Sequence, residues 1–296
     1  MSISTRDPQL GVLMHAANAA VWGAKDAHDA LGDDGLKTVD KNQHGETALA
    51  VDIACEKAVI QAFDKTGLPL RVRSEEHGAF DLGQGEPRFL LMLDGLDVSG
   101  VYASSRRKGE YGTMFALFRG ADPCYRDHVW SCVVQQALMR LTLSMPYGSY
   151  RMLMDRVDQD EVQRLATSGR RRLGTDTRIR VDEHFEVNRK SFSERLKPEH
   201  EVTYTRCSAK SYVDVAIGDA ELALECTRKG NLEIATAYGR VTAAGGAFMD
   251  LGGADIGPNK VLSWGQDRQY PVIAAATPEL ARDLIGYLEN RASEAL

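Results

Sequence analysis

Two hydrophobic periods alternate along this chain, and the alternation limits what it can fold into. Over 9–31, Leu10, Leu13, Met14, Ala17, Ala20, Val21 and Ala24 recur every three or four residues, the stripe of a helix packed on one side. Asp7-Pro8 supplies a cap and a first-turn proline, and Gly32-Asp33-Asp34-Gly35 breaks the pattern. A second helical stretch is expected over 47–65, with Leu49, Val51, Ile53, Ala54, Val59, Ile60 and Phe63. Short strands are expected at 70–74, 89–93 and 112–118, with a strand-rich segment between 121 and 150. Residues 155–200 read as a charged, turn-rich connection carrying no nameable chemistry, with some strand near 177–182 and helix near 190–196. The alternation then resumes: strand 201–206, helix 208–218, strand 220–225, helix 231–244, strand 246–250, strand 272–276 and helix 278–293. Helices alternating with short strands predict a layered α/β or α+β fold. No internal repeat or low-complexity segment interrupts it.

Composition narrows the partners. The formal net charge is -6, which disfavours a nucleic-acid backbone, and Arg170-Arg171-Arg172 reads as a solvated loop. Cysteines at 55, 124, 132, 207 and 226 form no CxxC pair and no even framework, so they read as buried thiols of a reducing compartment. No basic segment precedes a long apolar block at the N-terminus, and no window of about 18 apolar residues exists, so a cytoplasmic protein off the membrane is expected. Neither Ser104-Ser105 nor Ser208 lies in a GxSxG elbow, and Gly245-Gly246 and Gly252-Gly253 form no dinucleotide fingerprint. Arg106, Arg107 and Lys108 could meet an anion, although a solvated loop explains them as well. His77 reads as a turn residue.

The stretch that carries chemistry is FLLMLDGLDVSG, 89–100, an apolar run ending in Asp94 and Asp97 and then in Val98-Ser99-Gly100. A strand followed by a sharp turn places both carboxylates at a strand's end, where α/β ligand sites lie. Carboxylates this close repel unless a proton or a divalent cation lies between them. Magnesium takes hard oxygen ligands and bridges carboxylates to phosphates. A capping turn would place aspartates here too. Further acids are Glu75-Glu76 at the end of the preceding strand, Asp52 on the helix before it, and Glu233 at the start of NLEIATAYGRVTAAGG.

In order and spacing these acids resemble the inositol monophosphatase superfamily, the lithium-sensitive, magnesium-dependent phosphatases that include fructose-bisphosphatase-like members. Its Glu-Glu pair and Asp-Pro-x-Asp-Gly-Thr/Ser motif are similar to Glu75-Glu76 and Asp94-Gly95-Leu96-Asp97-Val98-Ser99. Its Trp-Asp-x-Ala-Ala-Gly helix, ending in Glu-Ala-Gly-Gly, is similar to Leu232-Glu233-Ile234-Ala235-Thr236-Ala237, ending in Ala243-Ala244-Gly245-Gly246. Asp52 matches the Asp of its Val-Thr-x-x-Asp element. The likeness spans most of the chain and is weakest over 120–200.

The resemblance implies an αβαβα sandwich with mixed sheets. An N-terminal subdomain over 1–150 would carry the Glu-Glu and DxxDxS motifs, a C-terminal one over 151–296 the LEIATAYG helix, with the site at their interface. It implies two or three magnesium ions held by Glu75, Asp94, the carbonyl of Leu96, Asp97 and Glu233. Glu75, Ser99 and Asp52 would serve the attacking water, Asp97, Val98 and Ser99 would receive the phosphate, and Glu225 would meet substrate hydroxyls. The activity implied is hydrolysis of an inositol phosphate or sugar phosphate, or of a 3′-phosphonucleotide, by a homodimer. A catalytically weakened relative acting as a binding or regulatory protein is the alternative.

Four departures bear on this. Gly95 stands for the motif's proline, which is expected to loosen the turn. Val98 stands for its glycine, although β-branched residues resist positive φ. Leu232 stands for its tryptophan. Glu233 stands for its aspartate, which lengthens a ligand to a metal that demands near-ideal octahedral geometry.

Overall fold

The computed structural model describes residues 7–41, 47–105, 108–154, 162–196, 199–204, 207–228 and 230–294. Arg106 and Arg107 lie outside the described residues. The first helix is α1 (Pro8–Leu31), capped by Asp7, whose side chain accepts from the Gln9 amide at 3.1 Å. The second begins later than expected. Thr38–Lys41 (β1) and Thr47–Leu49 (β2) pair antiparallel, and α2 runs over Ala50–Asp64. The Asp52 carboxylate accepts from the Leu49 amide at 3.0 Å, which fixes the helix start after Leu49.

Eight strands form the larger sheet: β3 (Leu70–Ser74), β4 (Gly78–Leu82), β5 (Phe89–Asp97), β6 (Gly112–Arg119), β7 (His128–Gln135), β8 (Arg140–Met145), β9 (Gly148–Leu153) and β10 (Gln163–Arg164). Their order is β10-β9-β8-β7-β6-β5-β3-β4, antiparallel except for β3 beside β5. A short helix, α3 (Ser99–Ser104), follows β5. The smaller sheet holds β11 (Ile179–Val181), β12 (Val202–Tyr204), β13 (Leu222–Cys226), β14 (Ala247–Asp250) and β15 (Pro271–Ala275), in the order β12-β11-β13-β15-β14. Three more helices are α4 (Ser208–Ile217), α5 (Leu232–Ala243) and α6 (Pro278–Glu294).

Strand alternation builds the layers. Leu91 and Leu93 of β5 pack with α1 and α2, while Leu90 and Met92 face the other way, toward α4 and α5. Ala223 of β13 joins that middle core, and Leu222 and Leu224 turn outward to Leu280, Ala281 and Leu284 of α6. The result is an αβαβα sandwich, and no helix among the described residues is long and apolar enough to cross a membrane. Fully burying a leucine contributes roughly 1.5–3 kcal/mol. Leu90, Leu91 and Leu93, all completely buried, therefore anchor β5 firmly enough to hold charged residues at its end. The free thiols of Cys55, Cys132, Cys207 and Cys226 are buried, and Cys124 is half-buried.

Candidate active site

β5 does not stop at Leu93; it continues through Asp97. Asp94 pairs with Met114 and Asp97 with Gly112, so Gly95 and Leu96 together oppose Thr113. The aspartates flank a β-bulge, which re-aims side chains without ending the strand. The bulge is pinned from both sides. Thr113 Oγ1 donates to the Gly95 carbonyl at 2.7 Å and accepts from Gln136 Nε2 at 3.1 Å, while the Leu96 amide donates to Asp94 Oδ1 at 2.8 Å. Gly95 tightens the site, contrary to the expectation of a loosened turn. A Cβ there would lie 2.3 Å from the Asp52 carbonyl oxygen, so only glycine lets β5 press against α2.

That contact brings Asp52, Glu75, Asp94 and Asp97 to one cleft of about 470 Å³, which Leu96, Val98, Ser99 and Glu233 also line. Asp52, Asp94 and Asp97 are only 4, 4 and 8% exposed, so none is a surface acid. Val98 carries the strain expected of a β-branched residue in a glycine's place: its φ is 67°. It joins the bulge to α3, whose Val101 and Tyr102 amides donate back to the Val98 carbonyl at 2.9 and 3.3 Å. Glu225 does not line the cleft. It is buried behind the wall, accepting from the Tyr212 hydroxyl and, at 3.0 Å, from Ser208 Oγ.

Several residues of the site escaped the sequence reading. Glu56 lies one helical turn beyond Asp52 and is completely buried. It accepts from Ser74 Oγ, from the Glu75 amide at 3.0 Å and from the Glu76 amide at 3.2 Å, and it contacts His77 Nδ1 at 2.7 Å. Glu56 thus holds the turn that presents Glu75. The i, i+4 spacing of Asp52 and Glu56 on α2 was the available signal. Asp182, His184 and Phe185 come from the connection expected to carry no chemistry, and all three line the cleft. Arg228 enters from the loop after β13 and forms an ion pair with Glu233.

The electrostatics divide the cleft. Burial pushes the Asp52 carboxyl up to about 8, with repulsion from Glu76 and Glu56 adding to it. Burial also raises Glu75, Asp94 and Asp97; Glu233 repels the first and last, and Glu75 and Asp97 repel Asp94. A hydrogen bond between Glu75 and Asp94 offsets part of this, as do those from Cys207 Sγ at 3.1 Å and the Ala209 amide at 3.0 Å to Asp97 Oδ2. Across the cleft, the Arg228 guanidinium neutralises the Glu233 end.

A donor set of crowded carboxylate oxygens suits magnesium, and a divalent cation would relieve the repulsion among Glu75, Asp94 and Asp97. Glu233 fits less well, because Arg228 engages it. Among the described residues, no three of His, Cys, Asp and Glu are gathered at the spacing of metal ligands.

No family model matches the chain, and no curated protein matches it in sequence. Solved structures do. The chain is similar to fructose-1,6-bisphosphatase of Leishmania major, with a TM-score of 0.74 and 14% identity over 98% of this chain and 96% of that one. It is similar to inositol monophosphatase from Anabaena, with a TM-score of 0.67 and 15% identity over 97% of each chain. It is also similar to a hypothetical protein of Pyrococcus horikoshii with similarities to inositol-1 monophosphatase, with a TM-score of 0.68 and 18% identity over 93% of this chain and 97% of that one. The fold is the inositol monophosphatase type.

Proposed function

We propose that this protein is a magnesium-dependent phosphomonoesterase acting on a small phosphorylated polyol or sugar. The observation that carries the reading is the bulged end of β5. It sets Asp94 and Asp97 beside Glu75 in a cleft where burial and mutual repulsion disfavour the bare carboxylates, so that a proton or a cation must accompany them. The fold shared with inositol monophosphatases and a fructose-1,6-bisphosphatase supports it.

Glu75, Asp94, Asp97 and the Leu96 carbonyl would hold the metal, which when bound acidifies a water and neutralises the leaving alkoxide. The chain's own residues orient that chemistry. Glu56 fixes the turn bearing Glu75, and the Leu96 amide fixes one oxygen of Asp94. Asp52, which caps α2, and Ser99 both line the cleft and would serve the attacking water. Val98 and Ser99, which line the cleft beside Asp97, would receive the phosphate. A cleft of about 470 Å³ suits a small substrate.

The test is phosphate release from inositol phosphates, hexose mono- and bisphosphates and 3′-phosphoadenosine nucleotides, with and without magnesium. Magnesium-dependent release from one class is expected. No release together with no magnesium binding in calorimetry would transfer the protein to the binding or regulatory class.

A further inference from the structure

Arg228 is a built part of the cleft. Its Nη2 pairs with Glu233 Oε1, lies 3.7 Å from Glu225 Oε2 and 3.5 Å from Ser208 Oγ, and its Cζ stands 4.2 Å over the Phe185 ring. Four groups from β13, α4, α5 and the 182–185 segment thus converge on one guanidinium. The backbone beneath it is clamped too. The Arg228 amide donates to Asn231 Oδ1 at 2.8 Å, and Asn231, at a φ of 46°, donates through Nδ2 to the Trp264 carbonyl at 2.7 Å. Gln266 accepts from the Gly230 amide at 2.9 Å and donates to the Arg228 carbonyl at 3.3 Å. A side chain held by this many partners has already lost its rotamer freedom on folding.

We infer that the Arg228 guanidinium is an internal cation that takes the place of a metal ion at Glu233, confining divalent-cation binding to the Glu75–Asp94–Asp97 end of the cleft. The inference rests on the reading of that end as a magnesium site. Arginine stays charged at every working pH and offers its donors in a fixed fork that matches a carboxylate. A metal ion at Glu233 would stand beside the positive guanidinium that already pairs with this carboxylate, so guanidinium and metal compete for it. Removing the guanidinium leaves Glu225 and Glu233 as neighbouring acids without a counter-charge, and such a pair recruits a cation.

The experiment is calorimetric titration with magnesium of the wild type, Glu233→Gln, Arg228→Met and the double variant, with thermal unfolding as a check on folding. Glu233→Gln is expected to change magnesium affinity less than about threefold, whereas ligand loss or a disturbed metal shell costs tenfold or more. Arg228→Met is expected to bind magnesium about tenfold tighter or to take up one further ion, and the double variant to lose that gain. A wild type that binds no magnesium while Arg228→Met binds it would keep Arg228 as the stand-in cation at Glu233 but overturn magnesium binding at the Glu75–Asp94–Asp97 end. A tenfold or greater loss in Glu233→Gln would overturn it, with Glu233 then a metal ligand. An unchanged isotherm in a folded Arg228→Met would overturn it as well. If Arg228→Met does not fold, Glu233→Gln decides alone. Persistence of magnesium-dependent phosphate release in the wild type would show that the phosphatase reading survives such a failure. Absence of both binding and release from the wild type and from Arg228→Met would end both.

Discussion

The two sides of the cleft both bury acids and solve the problem of their charge differently. On the β5 side, Glu75, Asp94 and Asp97 sit together, tied to amides, a thiol and one another, and among the described residues no ion pair joins Asp94 or Asp97 to a basic side chain. On the α5 side, Glu225 and Glu233 share Arg228, and Glu225 also takes hydrogen bonds from Tyr212 and Ser208. Burying a charge costs several kcal/mol unless it is paired. One side carries its counter-charge in the chain; the other leaves it to protons or to a bound cation. The difference supports the proposal that a cation binds on the β5 side.

Opposite signs should follow from neutralising the two sides. Asp94→Asn would remove a ligand of the proposed metal, so on that reading phosphate release should fall a hundred- to a thousandfold, the order lost when one group stabilising transition-state charge is deleted. The same substitution relieves repulsion, so the metal-free variant should melt above the metal-free wild type. Arg228→Met should instead lower stability by about 3 kcal/mol in denaturant unfolding, because it strands two acids. Equal signs in the two unfolding curves would break the comparison.

The pH dependence sharpens it. The Asp52 carboxyl rises from 3.8 to about 8 on folding, so it binds a proton more tightly in the folded than in the unfolded chain. Its contribution to stability is present below about pH 4 and is lost as pH climbs toward 8. Metal-free protein should therefore lose a few kcal/mol of unfolding free energy between pH 5 and 8, since each tenfold gain in proton affinity on folding is worth about 1.4 kcal/mol. Asp52→Asn should reduce that slope, to which the raised Glu75, Asp94 and Asp97 also contribute, and magnesium should reduce it in the wild type. A slope unchanged in Asp52→Asn would sink the account.

How much of this was legible in the sequence follows from the range of the forces involved. Periodicity is local, so α1, the body of α2 and the apolar run of β5 could be read directly. The layered fold could be read from their alternation. The acids of the β5 side could be read because they cluster within short motifs. On the other side only Glu225 and Glu233 could, through the likeness of one helical motif. Arg228 belongs to the charged stretch Arg228-Lys229, indistinguishable in sequence from a solvated loop, and only long-range packing against Phe185 and Glu233 gives it a role. Asp182 and His184 lie in a segment without hydrophobic period. The continuation of β5 through Asp97 was hidden for a related reason. Aspartates weaken strand propensity, and it is Thr113 on β6 and Gln136 in the turn after β7 that hold the bulge.

Gly95 and Val98 test the β5 side at its backbone. Gly95→Ala should cost about 1–3 kcal/mol in denaturant unfolding, because the new methyl meets the α2 backbone and one element must move. It should weaken magnesium binding as well, since the displaced strand carries Asp94. Val98→Gly should act in the other direction and more weakly. A β-branched residue in the left-handed region carries roughly 1–2 kcal/mol of strain. Glycine removes that strain but gives back part of it through its larger unfolded-state entropy and the lost contact with the middle core. A net gain of up to about 1 kcal/mol is expected, with tighter binding of inorganic phosphate where the isopropyl group had crowded the cleft. A Val98→Gly protein that is clearly less stable would show that the apolar contact, not the strain, dominates at the exit of β5.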